Sequence, residues 1–95
     1  MAQFRNDDGY CYLTGRLAHS DVITLWPSRE QLISADTQCI DCSGLDYIDS
    51  AGVAMLTQLV VKHQYAQLTF KMLPLQTKKL IDLYDLQAFF PEEAQ

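Results

Sequence analysis

Hydrophobic residues along this chain switch three times from short, strand-length runs to helical spacing. The first segment, AQFRNDDGYCYLTGRL, reads as two short strands around Asn6, Asp7, Asp8 and Gly9, because Asp-Gly supplies the positive φ that a tight hairpin requires. In HSDVITLWPSREQLIS, Val22, Leu25, Trp26, Arg29, Leu32 and Ile33 fall at helical spacing, with Ser20 or Asp21 available to cap the first turn. Pro27 interrupts that pattern. A proline inside a helix removes a hydrogen bond and clashes with the preceding turn, so a kink or two pieces of helix are expected.

TQCIDCSGLDYI follows as a short β-like run that closes at Ser43 and Gly44, and SAGVAMLTQLVVKHQYA has the length and composition of a helix. QLTFKMLPL reads as a further strand ended by Pro74, and QTKKLIDLYDLQAFF as a closing helix with Leu80, Leu83 and Tyr84 on one face. The predicted order is β-β-α-β-α-β-α. Helices between the later strands imply partly parallel pairing. The fold class is therefore α/β, a small mixed four- to five-stranded β-sheet with about three to four helices packed on it.

Composition narrows the class. Ninety-five residues, 48% of them hydrophobic, predict one domain over 1–95 with a single core. A formal charge of −5 disfavours nucleic acid and anionic lipid as partners, since both require a cationic surface. No apolar run approaches the roughly 20 residues that span a bilayer, and the polar start MAQFRNDDG lacks the apolar core of a signal peptide. With three cysteines, an odd number, the chain reads as cytoplasmic.

CIDC, Cys39 to Cys42, has the spacing of a thiol redox pair or half a zinc site. On a strand, however, residues three apart point to opposite faces and lie roughly 10 Å apart, beyond the ~7 Å limit for a disulfide. Cys11, His19 and His63 are scattered without ligand spacing. These cysteines are expected in the core, with no metal bound. Ser50, at the joint of LDYIDSAGVAML, needs a base to act as a nucleophile. His63 lies roughly 20 Å along the same helix, His19 precedes a different one, and DSAG lacks the frame of a nucleophile elbow. No catalysis is expected, and no cofactor: the chain has no Gly-rich phosphate loop.

Either Asp49 or Ser50 is expected to cap the helix. Ser50, Ala51 and Gly52 make its start low and open. Val53, Met55, Leu56, Leu59 and Val60 cover a core-facing arc, while Ala54, Val61 and Tyr65 form a second apolar stripe where core packing alone would place polar residues. A protein interface is expected through Asp49, Ser50, Ala51, Gly52, Ala54, Thr57, Gln58, Val61 and Tyr65.

At these residues the chain resembles a STAS domain, the fold of bacterial anti-sigma-factor antagonists and of sulfate-transporter tails. YLTGRL is similar to the second strand, CIDCSGLDYIDSAGVAML to the signature strand-loop-helix, and KKLIDLYDL to the last helix. Cys42 stands where the family usually has an aliphatic residue, in keeping with a core position. In the antagonists, the serine after the aspartate of such a DSxG is phosphorylated by a partner kinase, which makes Ser50 a phosphorylation-site candidate. The short length, DVITLW and LIDLYDL are most similar to MlaB-like subunits of the Mla ABC transporter. That system moves phospholipids between the envelope membranes of Gram-negative bacteria and maintains outer-membrane lipid asymmetry. The resemblance implies a non-enzymatic subunit that binds a cytoplasmic (MlaF-like) ATPase, within a complex containing a membrane permease, peripheral at the inner membrane and without lipid contact of its own. The alternative it implies is an anti-sigma-factor antagonist regulated through Ser50.

Overall fold

Two antiparallel strands, β1 (Gln3–Asp7) and β2 (Tyr10–Leu17), open the chain in the computed structural model, which describes residues 1–63 and 68–93. Asp8 and Gly9 join them, both at positive φ (49° and 84°), as a two-residue hairpin turn demands. Helix α1 (His19–Leu25) runs into a 3-10 turn (Trp26–Gln31), with Pro27 near the start of that turn. The proline thus divides the expected helix into two pieces. Strand β3 (Cys39–Ile48), helix α2 (Ser50–Lys62), strand β4 (Thr69–Lys71), helix α3 (Leu75–Leu83) and a short 3-10 turn (Gln87–Phe89) complete the order.

The sheet runs β1-β2-β3-β4, with β2, β3 and β4 mutually parallel. Both crossovers step the same way across it, so right-handed connections place α1 and α2 on the same face, and α3 packs against α2 there. Leu13, Leu17, Ile40, Leu45, Ile48 and Phe70 meet Val53, Met55, Leu56, Leu59 and Ile81 in one core. Phe90 closes it, its ring 4.8 Å from that of Phe70. Beyond β4, the Phe70 N–H donates to Pro91 O and the Glu93 N–H donates to Phe70 O, both at 2.8 Å.

Three expectations are corrected. Neither Ser20 nor Asp21 is the N-cap of α1; that position is Ala18. Asp21 lies three residues in, only 4% exposed, where its carboxylate accepts from the Ala18 N–H at 2.9 Å and from Arg16 Nε and Nη2 at 2.9 and 3.2 Å. Second, β3 does not close at Ser43 and Gly44 but continues to Ile48. Its ladder with β2 absorbs two register shifts, and the turn-forming residues serve the first of them: Asp41 Oδ1 accepts the Ser43 N–H at 2.9 Å, while a Cβ on Gly44 would lie 2.7 Å from Thr14 Cγ2. Third, the closing helix ends at Leu83, and Leu83 and Tyr84 point outward, 71% and 50% exposed. Thr77 and Ile81, spaced i, i+4, face the core with Leu80 half-buried beside them. Asp85, at φ 57°, then turns the chain so that the Leu86 N–H donates to Ile81 O.

All three cysteines are free and buried. Burial pushes the Cys11 and Cys42 thiols up to about 12, and burial together with a hydrogen bond involving Glu93 pushes Cys39 up to about 11. They are neutral at ordinary pH and pack as small hydrophobes.

Stability should therefore fall at both ends of the pH range. Hydrogen bonds from Arg16 and then from Ala18 hold Asp21 at about 2, against an ordinary 3.8, so its contribution is complete above about pH 4 and is lost as pH drops toward 2. The raised thiols act oppositely: their contribution is complete below their ordinary 9.0 and is lost as pH rises toward 12. Urea midpoints measured across pH should form a plateau with two falling limbs, the acid limb shallower in Asp21→Asn.

Candidate partner interface

At the end of β3 the chain leaves Ile48 in extended conformation, and Asp49 becomes the N-cap of α2. Its Oδ1 accepts from the Gly52 N–H at 3.0 Å, and its Oδ2 accepts from the His19 N–H at 2.9 Å. One carboxylate thus caps its own helix and the first residue of α1. Helix N-termini carry free amides and a partial positive charge, so an anionic oxygen aimed at each is favoured twice over. Of the two residues expected to cap, Asp49 does so, and Ser50 is the first helical residue, exposed.

Gly52, expected at the interface, is buried. A Cβ there would sit 2.2 Å from Leu17 O and 2.6 Å from Ile48 Cγ1, so its smallness serves the close approach of α2 to the ends of β2 and β3. The remaining residues divide cleanly. Ser50, Ala54, Gln58 and Val61 form an exposed line along α2, with Val61 58% exposed. Ala51 and Thr57 are half-buried, the Thr57 hydroxyl donating to Val53 O at 2.9 Å. The opposite arc, Val53, Met55, Leu56 and Leu59, is in the core. Tyr65 lies outside the described residues.

Helix α1 packs beside α2, and α1 with the 3-10 turn after it exposes two apolar side chains, Ile23, which the helical spacing left out, and Trp26, which that spacing had placed with the inward residues. Ile23 is 63% exposed, and Trp26 is 38% exposed with the Arg29 guanidinium 4.3 Å above its ring. Ile23 was legible as the apolar residue outside the inward 22, 25, 29 spacing. The helical spacing put Trp26 on the same side as Val22 and Leu25, and the structure corrects this: the tighter 3-10 turn rotates the phase, and the ring leaves the core side.

The tertiary structure does bring His19 to the serine loop, but the contact is its main-chain N–H on Asp49. His63 stands at the other end of α2, its Nε2 2.9 Å from Thr37 O. Among the described residues no group of three or more His, Cys, Asp or Glu side chains is placed to hold a metal ion. What the arrangement offers is a firmly held, small-residue helix start and, beneath it, an exposed line in which Ala54 and Val61 are apolar and Gln58 is polar.

Residues 2–91 match the protein family described as "Mlab, STAS domain". Comparison with curated proteins gave no match.

Asp49→Ala should lower stability by about 2 kcal/mol, roughly one helix cap of about 1 kcal/mol for each amide released. Asp49→Asn, which keeps one oxygen acceptor, should lose about half of that. Gly52→Ala should cost about 1–3 kcal/mol through overpacking, whereas Ser50→Ala should stay within about 0.5 kcal/mol of the parent. Urea unfolding of the four variants checks the order.

Proposed function

The chain belongs to the STAS family described as "Mlab, STAS domain", and on that premise we propose that it is a non-enzymatic accessory subunit of a phospholipid ABC transporter, bound to the cytoplasmic ATPase through the Ser50 loop and α2. A small accessory or regulatory role is what a STAS domain supports. The observation that carries the finer reading is the exposed line Ser50, Ala54, Gln58 and Val61, displayed by a helix whose start is fixed by Asp49. A surface held in this way docks with little rearrangement, which keeps the entropic cost of binding low.

The mechanism is differential binding. A subunit that fits one conformational or assembly state of the ATPase about a hundredfold better than another shifts their ratio by that factor, about 2.7 kcal/mol. The place proposed for the chain is the cytoplasmic face of the inner membrane, reached through the ATPase and its permease. Among the described residues no helix is long and apolar enough to cross a membrane, and the net charge of −5 disfavours direct contact with anionic lipid.

A second reading, an anti-sigma-factor antagonist controlled by phosphorylation, is supported by one feature: Ser50 is exposed at the first position of α2, where the helix dipole favours added negative charge. Affinity purification from cells with mass spectrometry separates the two. The first reading requires an ABC ATPase with its permease, the second a kinase-type anti-sigma factor.

Val61→Asp should weaken binding of the purified ATPase more than about tenfold, since a charge desolvated without a partner costs several kcal/mol, while the melting temperature stays near that of the parent. Ser50→Glu should fold normally and bind poorly, and Ser50→Ala should match the parent in both. Calorimetry beside a thermal melt reads all three. Equal affinity of Ser50→Glu and the parent would place Ser50 outside the interface.

A further inference from the structure

Among the described residues the helices cover one face of the sheet and leave the other without a helix. Parallel strands are ordinarily covered on both faces, and β2, β3 and β4 are mutually parallel. Across the open face one register row reads Arg5, Tyr12, Asp41 and Lys71, one residue from each strand in order. Tyr10 stacks on Tyr12 with ring centroids 6.0 Å apart, and the Arg5 guanidinium lies 4.4 Å above the Tyr12 ring. Tyrosine and arginine are the residues that interface centres concentrate.

We propose that this open face is a self-association surface, on which a second copy of the chain packs about a two-fold axis running along β2, so that Arg5 of each copy meets Asp41 of the other. The charge pattern selects this occupant. Neighbouring strands lie about 4.8 Å apart, and two sheets packed face to face lie about 10 Å apart with strands within about 30° of each other. An axis midway between two such sheets and along β2 sets Tyr12 against its own copy. It also carries Arg5, one strand to one side, over Asp41, one strand to the other. Symmetry forms that ion pair twice.

The adjacent rows agree. Gln3, paired with Thr14, falls over Gly44, which has no side chain to oppose it. Asp7, paired with Tyr10, falls over Cys39, a thiol with Glu93 beside it. Lys71, two strands from the axis, passes beyond the partner's β1 and stays in solvent. Arg16, the one charged side chain on β2, lies about 13 Å along the strand from Tyr12 and is turned onto Asp21. In the contact Asp7 approaches an acid, Glu93, which is hydrogen-bonded with Cys39, and it brings its own counter-charge, the Arg5 guanidinium 3.9 Å away. Because α2 is on the opposite layer, the pairing leaves the Ser50 and Val61 surface free on both copies.

Sedimentation velocity from about 10 to about 500 µM, a range that resolves micromolar to submillimolar dissociation constants, tests the proposal on the intact chain. The parent should pass from monomer to dimer across that range. Arg5→Glu and Asp41→Lys should each weaken the dimer about tenfold or more, because each sets like charges against one another twice. An equimolar mixture of the two variants should recover the dimer: in the mixed pair the introduced charges face each other and so do the native ones. A parent monomeric throughout, variants as dimeric as the parent, or a mixture no better than its components would each overturn the proposal. Thermal melts show whether both variants fold. Should either fail to, Thr14→Cys treated with a short bis-maleimide gives the same answer, since Thr14 lies beside the axis: a cross-linked dimer supports the pairing and its absence overturns it. Arg5 and Asp41 lie away from α2, so none of these outcomes depends on whether an ATPase is bound there.

Discussion

The carboxylate of Asp49 is the point on which this small domain turns. Two parallel strands end beside each other, each followed at once by a helix, and such an arrangement gathers unsatisfied N–H groups where water would otherwise have to serve them. One side chain answers both needs, with Oδ1 on Gly52 and Oδ2 on His19, about 3 Å from each. The tie is tertiary as well as local, because it joins the β2–α1 connection to the β3–α2 connection across thirty residues of sequence. Asp21 does related work on the neighbouring connection, taking the Ala18 N–H and the Arg16 guanidinium together. Gly52 completes the corner, since any side chain there would strike the Leu17 carbonyl.

This division of labour bears on the function proposed. Within the motif DSAG, Asp49 and Gly52 are engaged with the fold itself, whereas Ser50 is presented to solvent. Neighbours in sequence therefore belong to different problems, one of holding and one of meeting. A partner pressing on α2 encounters a surface whose foundation is already fixed, and a charge placed at Ser50 alters what the partner meets without loosening what Asp49 holds.

Much of the architecture was legible in the sequence because strong local signals agreed with the tertiary outcome. Asp8-Gly9 made the hairpin, Pro27 divided the first helix, and the spacing of Val53, Met55, Leu56 and Leu59 set the buried arc of α2. The misreadings share a cause: contacts from distant residues overrode a local cue. Ser43 and Gly44 look like a turn, but pairing with β2 continues through them as an irregular strand. Leu83 and Tyr84 look like a core face, but the core takes Thr77 and Ile81, and Leu86 and Phe90 fill the space beyond. At the site, Ser50 and the exposed line of α2 were readable from periodicity. The buried place of Gly52 was not, since it depends on where Leu17 ends, and neither was the second helix capped by Asp49.

Residues 91–93 carry a consequence for how far the sheet can grow. A strand at the margin of a sheet offers a row of free donors and acceptors to any passing chain, which is how misassembly begins. At β4 that offer is withdrawn, because Pro91 and Glu93 occupy the main-chain groups of Phe70. At the other margin β1 bears Arg5 and Asp7, charges that discourage indefinite strand addition. The tail is thus a terminator for the sheet: a chain cut short before Pro91 would leave β4 as an open template for aggregation, however sound the core behind it.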